Sequence, residues 1–239
     1  MFSYYGGKGK LVKKYPKPIY DLIIEPFAGS ARYSQLHSST YSNNRVLLND
    51  SYKVVADIWD YLINATREQI EALPEMNKGD KVSDLNISDV EKSLMGFWVN
   101  YGVATPANVY TTWAYQNNEI RRSKLIVIRK LNDIRHWKVS NKDYKELKNI
   151  EATWFIDPPY QKGGSHYVKS TIDYEELTEW CKSRKGQVIV CENADANWLP
   201  FKLLSKLSGQ GRNKKSGRST KSVEVVWKNK ITNRRKWGL

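Results

Sequence analysis

The sequence predicts an α/β fold, a doubly wound and mostly parallel sheet carrying a small helical insertion. Three observations predict it. Five short apolar runs have the length and composition of buried strands. Helical patterns separate them, and strands alternating with helices build a parallel sheet covered on both faces. The alternation stops between about residues 74 and 150, where a helical, basic segment intervenes.

The strands are expected at 21–24, 46–48, 153–156, 187–190 and 223–227. After the second, Val54, Val55, Ile58, Trp59, Leu62 and Ile63 recur at helical spacing. Ser88 and Glu91 form a capping box ahead of Leu94, Phe97 and Trp98. Asp173 and Glu176 repeat that signature before Leu177 and Trp180, with Gly186 as the expected helix stop. Residues 209–221 are rich in Gly, Ser and Lys and read as a surface loop. The expected division is one domain from residues 1–73 and 151–239, with 74–150 as the inserted helical region.

Composition narrows the function. The net charge of +14 is concentrated in two blocks. Residues 202–239 hold twelve basic side chains and one acid, Glu224, and residues 120–148 hold ten basic and three acidic ones. Basic blocks on a mildly acidic body point to a polyanion such as nucleic acid. No apolar run is long enough to cross a bilayer, and no secretory signal opens the chain, so a cytoplasmic protein is expected. Cys181 and Cys191 fit a reduced compartment and exclude a Cys-rich zinc cluster. His37, His136 and His166 are scattered without ligand spacing, so no metal is expected. A monomer is expected, with a dimer as the alternative.

Three motifs carry chemistry. Residues 24–31, IEPFAGSA, follow the first strand, and their small side chains let backbone approach a ligand closely. Asp50 ends the second strand, where an acid can accept from both hydroxyls of a ribose, or can cap a helix. Asp157-Pro158-Pro159-Tyr160 ends the apolar strand TWFI. Its carboxylate and a free carbonyl can both accept from one amino group, and Tyr160 can stack on a planar base. That set suits an exocyclic amine as substrate.

Together, in this order, the motifs resemble the Dam-like class of DNA adenine N6-methyltransferases. Tyr4-Tyr5-Gly6-Gly7-Lys8 resembles that family's aromatic-x-Gly-Gly-Lys segment, and Glu25-Pro26-Phe27-Ala28-Gly29-Ser30 its Glu-Pro-Phe-x-Gly motif. Asp50 matches its ribose-binding acid, Asp157–Tyr160 its catalytic tetrapeptide, and GRSTKSVEVVWKN its basic loop and final strand. The resemblance implies a Rossmann-like methyltransferase fold and S-adenosyl-L-methionine as cofactor. Tyr4, Gly7, Lys8, Glu25, Pro26, Phe27, Gly29, Ser30, Asp50 and Asp157 would form the cofactor shell. Asp157, Pro158, Pro159 and Tyr160 would carry methyl transfer to N6 of an adenine flipped out of double-stranded DNA. Arg121, Arg122, Arg212, Lys214, Lys215 and Arg218 are the expected phosphate contacts, with Trp113 and Tyr115 as further contacts in the insertion. Two departures stand out: Ala31 occupies the place of the family's second glycine, and the insertion shows no recognition hairpin. The alternatives are the same chemistry on RNA or single strands, and a non-catalytic DNA-binding relative.

Overall fold

The computed structural model describes residues 1–9, 11–38, 44–162, 171–212 and 219–230; for 207–212 and 219–222 it describes the backbone. The strands are β1 (Leu22–Glu25), β2 (Arg45–Asn49), β3 (Lys138–Ser140), β4 (Ala152–Ile156), β5 (Gly186–Asn193), β6 (Lys202–Arg212) and β7 (Ser219–Lys228). They form one seven-stranded sheet in the order β3-β2-β1-β4-β5-β7-β6. The first five neighbours run parallel, and β7 pairs antiparallel with both β5 and β6. This is a mixed α/β architecture compatible with a Rossmann-like fold.

Side-chain alternation along the strands builds two cores. Ile23, Phe155, Ile189 and Cys191 face one of them, together with Tyr33 of α1 (Arg32–His37) and Ile58, Trp59 and Leu62 of α2 (Lys53–Asn64). Ile24, Trp154, Ile156, Val188 and Val190 face the other, against Leu177, Trp180 and Cys181 of α7 (Tyr174–Ser183). All five residues of β4 are buried. A central strand covered on both faces has no wet side, so its apolar run is continuous. The chain leaves β1 for β2 across one face and β4 for β5 across the other. The crevice beyond the carboxyl ends of β1 and β4 is therefore the switch point, where such sheets bind ligands.

The expected helices form, and a short α3 (Arg67–Ala72) follows α2. Ser88 and Glu91 make the reciprocal box that starts α4 (Asp89–Trp98), and the Asp173 carboxylate accepts from the amides of Glu175 and Glu176 at 2.9 and 3.1 Å. Gly186 does not stop α7, which already turns extended at Arg184. Gly186 opens β5 at φ +98°, and any Cβ there would lie 2.3 Å from the Ala152 carbonyl oxygen. Close pairing of β4 with β5, not helix capping, requires the glycine.

Two further expectations change. The segment 74–150 holds α4, α5 (Thr112–Gln116) and α6 (Glu119–Ile134), but it ends in a strand. β3 pairs with β2 through Leu47–Lys138 to Asn49–Ser140, so the sheet reclaims the chain before residue 150. Of the surface loop expected at 209–221, residues 209–212 and 219–221 belong instead to β6 and β7, which pair antiparallel, and 213–218 lie outside the described residues. Inter-strand pairing there overrides a composition that reads as loop. Among the described residues, no helix is long and apolar enough to cross a membrane.

Candidate functional site

A cavity of about 290 Å³ lies at the switch point. Eleven of the expected site residues line it: Tyr4, Gly7, Lys8, Glu25, Pro26, Phe27, Gly29, Ser30, Asp50, Asp157 and Pro159. Pro158 and Tyr160 do not line it.

The turn after β1 forms the floor. Gly29 has φ +45°, and a Cβ on it would sit 2.9 Å from the Tyr4 ring. Both the backbone and the close approach call for glycine. Two residues on, Ala31 also has φ +45° while almost fully buried. It holds a left-handed conformation that costs an alanine about 1 kcal/mol. Asp50 ties the turn to α2. Its Oδ2 accepts from the Gly29 amide and its Oδ1 from the Tyr52 amide, each at 2.9 Å. Both roles read for Asp50 thus meet in one side chain, which braces a helix start and faces the cavity.

The wall beyond β4 is built on charge. Lys8 is 6 % exposed, and its Nζ lies 3.0 Å from Asp157 Oδ1 and 3.4 Å from Glu224 Oε1. The same ammonium donates to the Tyr160 hydroxyl and sits 4.4 Å from that ring's centre. Glu224 Oε1 also accepts from Tyr15 and Tyr160, each at 2.6 Å. Burial works against the charge on Lys8, but Asp157 and Glu224 outweigh it and hold the ammonium above the ordinary lysine range. Burial pushes Asp157 up to about 6, with Lys8 pulling it back and Glu224 pushing further. Lys8 thus contacts the Asp157–Tyr160 tetrapeptide at both ends, the Asp157 carboxylate and the Tyr160 hydroxyl.

Other acids support the frame. Buried Glu25 accepts from the Ser34 amide at 2.7 Å, and burial pushes its carboxyl up to about 8. Buried Glu192, at the end of β5, accepts from the Gln161 amide at 3.0 Å and the Trp198 indole at 3.1 Å, fixing the chain just after Tyr160. The Tyr174 hydroxyl donates to the Pro159 carbonyl at 2.7 Å. Sequence reasoning placed Glu224 in the final-strand motif without a role, and it missed Tyr15, Glu192, Tyr174 and a cavity-lining Arg32. No local pattern marks them, since their partners lie far away in sequence.

The insertion is only partly a basic surface. Arg121 and Arg122 are exposed on α6, and Arg122 pairs with Glu119 at 2.5 Å. Lys124 is buried, donating to the Leu73 carbonyl and to Glu75 at 2.7 Å. Arg135 donates to the carbonyls of Ile63 and Ala65 and so caps the end of α2. Trp113 and Tyr101 are both exposed and pack together at 5.4 Å between ring centres, while half-exposed Tyr115 meets Tyr110. Lys214, Lys215 and Arg218 lie outside the described residues, and of Arg212 only the backbone is described. Among the described residues, no group of His, Cys, Asp and Glu could hold a metal ion.

No family model matches the chain, and no curated protein does. Among solved structures the chain is similar to a conserved hypothetical protein of Streptococcus pyogenes. That alignment covers 88% of this chain and 87% of the other, at 10% identity and a TM-score of 0.31.

Proposed function

We propose that the chain transfers a methyl group from S-adenosylmethionine to N6 of adenine in DNA. One observation carries the reading: Asp157, at the carboxyl end of β4, shares a cavity with Gly29 and Asp50 at the ends of β1 and β2. The residues fit a nucleoside cofactor. A turn stripped of Cβ atoms allows close approach, and a carboxylate on the next strand can accept from a diol. Bound there, S-adenosylmethionine supplies an electrophilic methyl group.

The chain's own residues do the rest. Asp157 keeps one oxygen for an amino hydrogen while its other oxygen is held by Lys8. Accepting from N6–H localises the nitrogen lone pair, which conjugation otherwise draws into the ring. Positioning and electrostatics then lower the barrier without a covalent enzyme intermediate: the N–C bond would form as the C–S bond breaks, the thioether would leave, and the surplus N6 proton would pass by way of Asp157 to solvent. Lys8 and Tyr160 act as positioning residues that fix the carboxylate. Exposed Arg121 and the half-exposed aromatics of the insertion suit a polynucleotide with an unstacked base.

The test is methyl transfer to duplex DNA, single-stranded DNA and RNA of one sequence, with mass spectrometry of the product base. Asp157→Ala should abolish N6-methyladenine formation. Equal turnover by the variant, or a methyl group on another atom, rejects the reading. Preference for RNA would keep the chemistry and change the substrate.

A further inference from the structure

Arg32 lines the cavity, and the chemistry above does not use it. It is half-buried at the first position of α1. Its Nη2 reaches the Phe2 carbonyl at 3.4 Å, a long contact. Every Asp and Glu of the chain is among the described residues, and none lies within 4.0 Å of a guanidinium nitrogen of Arg32. Burial lowers its pKa, and Tyr101 offsets this in part. A cation drawn out of water without a counter-charge is costly unless an anion joins it.

We propose that Arg32 binds the carboxylate of an α-amino-acid tail on a nucleoside ligand. The inference rests on the reading of the cavity as a nucleoside site. A guanidinium fork grips a carboxylate through two parallel hydrogen bonds. The placement fits. Arg32 reaches the N-terminal segment at Phe2, whereas Asp50 binds the Gly29 amide and the start of α2. The anion subsite and the diol subsite therefore flank one turn.

A phosphate fits this wall poorly. Asp50, Asp143, Glu146 and Asp157 line the cavity against Lys8, Arg32 and Lys142, Glu25 stays mostly neutral below about pH 8, and the charge of Lys8 is already shared by Asp157 and Glu224. Such a surface repels a dianion and accepts a zwitterion, whose charges cancel.

Calorimetry on the full chain separates the outcomes. The probes are S-adenosylhomocysteine, 5′-methylthioadenosine (the same nucleoside without the amino-acid tail) and adenosine 5′-monophosphate. Wild type should prefer S-adenosylhomocysteine to methylthioadenosine. Arg32→Ala should weaken S-adenosylhomocysteine by about tenfold to a hundredfold, the worth of a charge-assisted contact. It should leave methylthioadenosine within about twofold, which also shows that the variant is folded. Arg32→Lys should fall between. Unchanged S-adenosylhomocysteine affinity in Arg32→Ala overturns the proposal while the nucleoside reading stands. An equal loss for the monophosphate overturns it in favour of a phosphate subsite. Failure of wild type to bind any probe removes the nucleoside reading, and the proposal with it.

Discussion

Lys8 and Asp157 form an ion pair at 3.0 Å, and Glu224 draws on the same ammonium from β7 at 3.4 Å. One lysine therefore serves two carboxylates. Glu224→Gln keeps an oxygen for Tyr15 and Tyr160 but removes the competing charge. Asp157, pushed up to about 6 in the wild type, should then ionise at lower pH. In the proposed methyl transfer the ionised form is the acceptor, so the acid limb of kcat/KM should move down. A limb that stays in place or moves up contradicts the shared-lysine account.

Truncation of the same residue should cost stability. Glu224→Ala leaves two tyrosine hydroxyls and a buried ammonium short of an acceptor. Losing one partner of a buried charge network costs about 3 kcal/mol. Urea unfolding of the two variants compares them, and Glu224→Gln should lose distinctly less.

Glu25 sets a pH dependence of stability. Burial raises its folded-state pKa from the ordinary carboxylate value to about 8. A raised carboxyl contributes stability that is fully present below its unfolded pKa and lost as pH rises through the folded one. The protein should therefore weaken between about pH 5 and pH 8, with the remaining loss complete near pH 9. Glu25→Gln, which can still accept from the Ser34 amide, should flatten that part of the curve. Unfolding free energies at pH 6 and pH 9 for both proteins test it.

Gly29 and Ala31 should respond unequally. Gly29→Ala forces a Cβ against the Tyr4 ring at a positive φ and should destabilise by about 1–3 kcal/mol. Ala31→Gly relieves a left-handed alanine at the cost of a buried methyl and chain entropy, for a net change within about 1 kcal/mol. Thermal melts should place Gly29→Ala well below the wild type and Ala31→Gly close to it. A large loss from Ala31→Gly would mean that the methyl group packs more tightly than the strain it carries.

On the insertion, Arg121 and Arg122 should differ. Arg122 already spends its charge on Glu119, whereas no ion pair of Arg121 is seen among the described residues. Arg121→Ala should lower the slope of log affinity against log salt for DNA by about one, and Arg122→Ala by less. Filter binding from 50 to about 200 mM salt resolves the two.

The strands were readable where burial on both faces made them continuous, as in β4, and the motif residues were readable because small or rigid side chains sit at strand ends. β3 escaped because three residues cannot show a period, and β6 because KLLSKLSGQGR mixes lysine and glycine into an edge strand. Glu224 and Arg32 escaped for another reason. Each stood in plain view beside a motif, yet its importance depends on what the fold brings, or does not bring, within 4 Å. For Tyr160 the sequence marks a stacking ring, and the structure adds hydroxyl contacts to Lys8 and Glu224 that no local pattern shows.

The first residues of the chain lie between two regions. The Trp98 indole donates to the Met1 carbonyl, the Gly102 amide to Ser3, and the Tyr5 amide to the Val103 carbonyl. The same segment supplies Tyr4, Gly7 and Lys8 to the cavity. A small molecule that immobilises this strap also immobilises the helical region next to it. Occupancy of the cavity and of the outer helical surface should then be thermodynamically linked, with one coupling factor whichever ligand is titrated first.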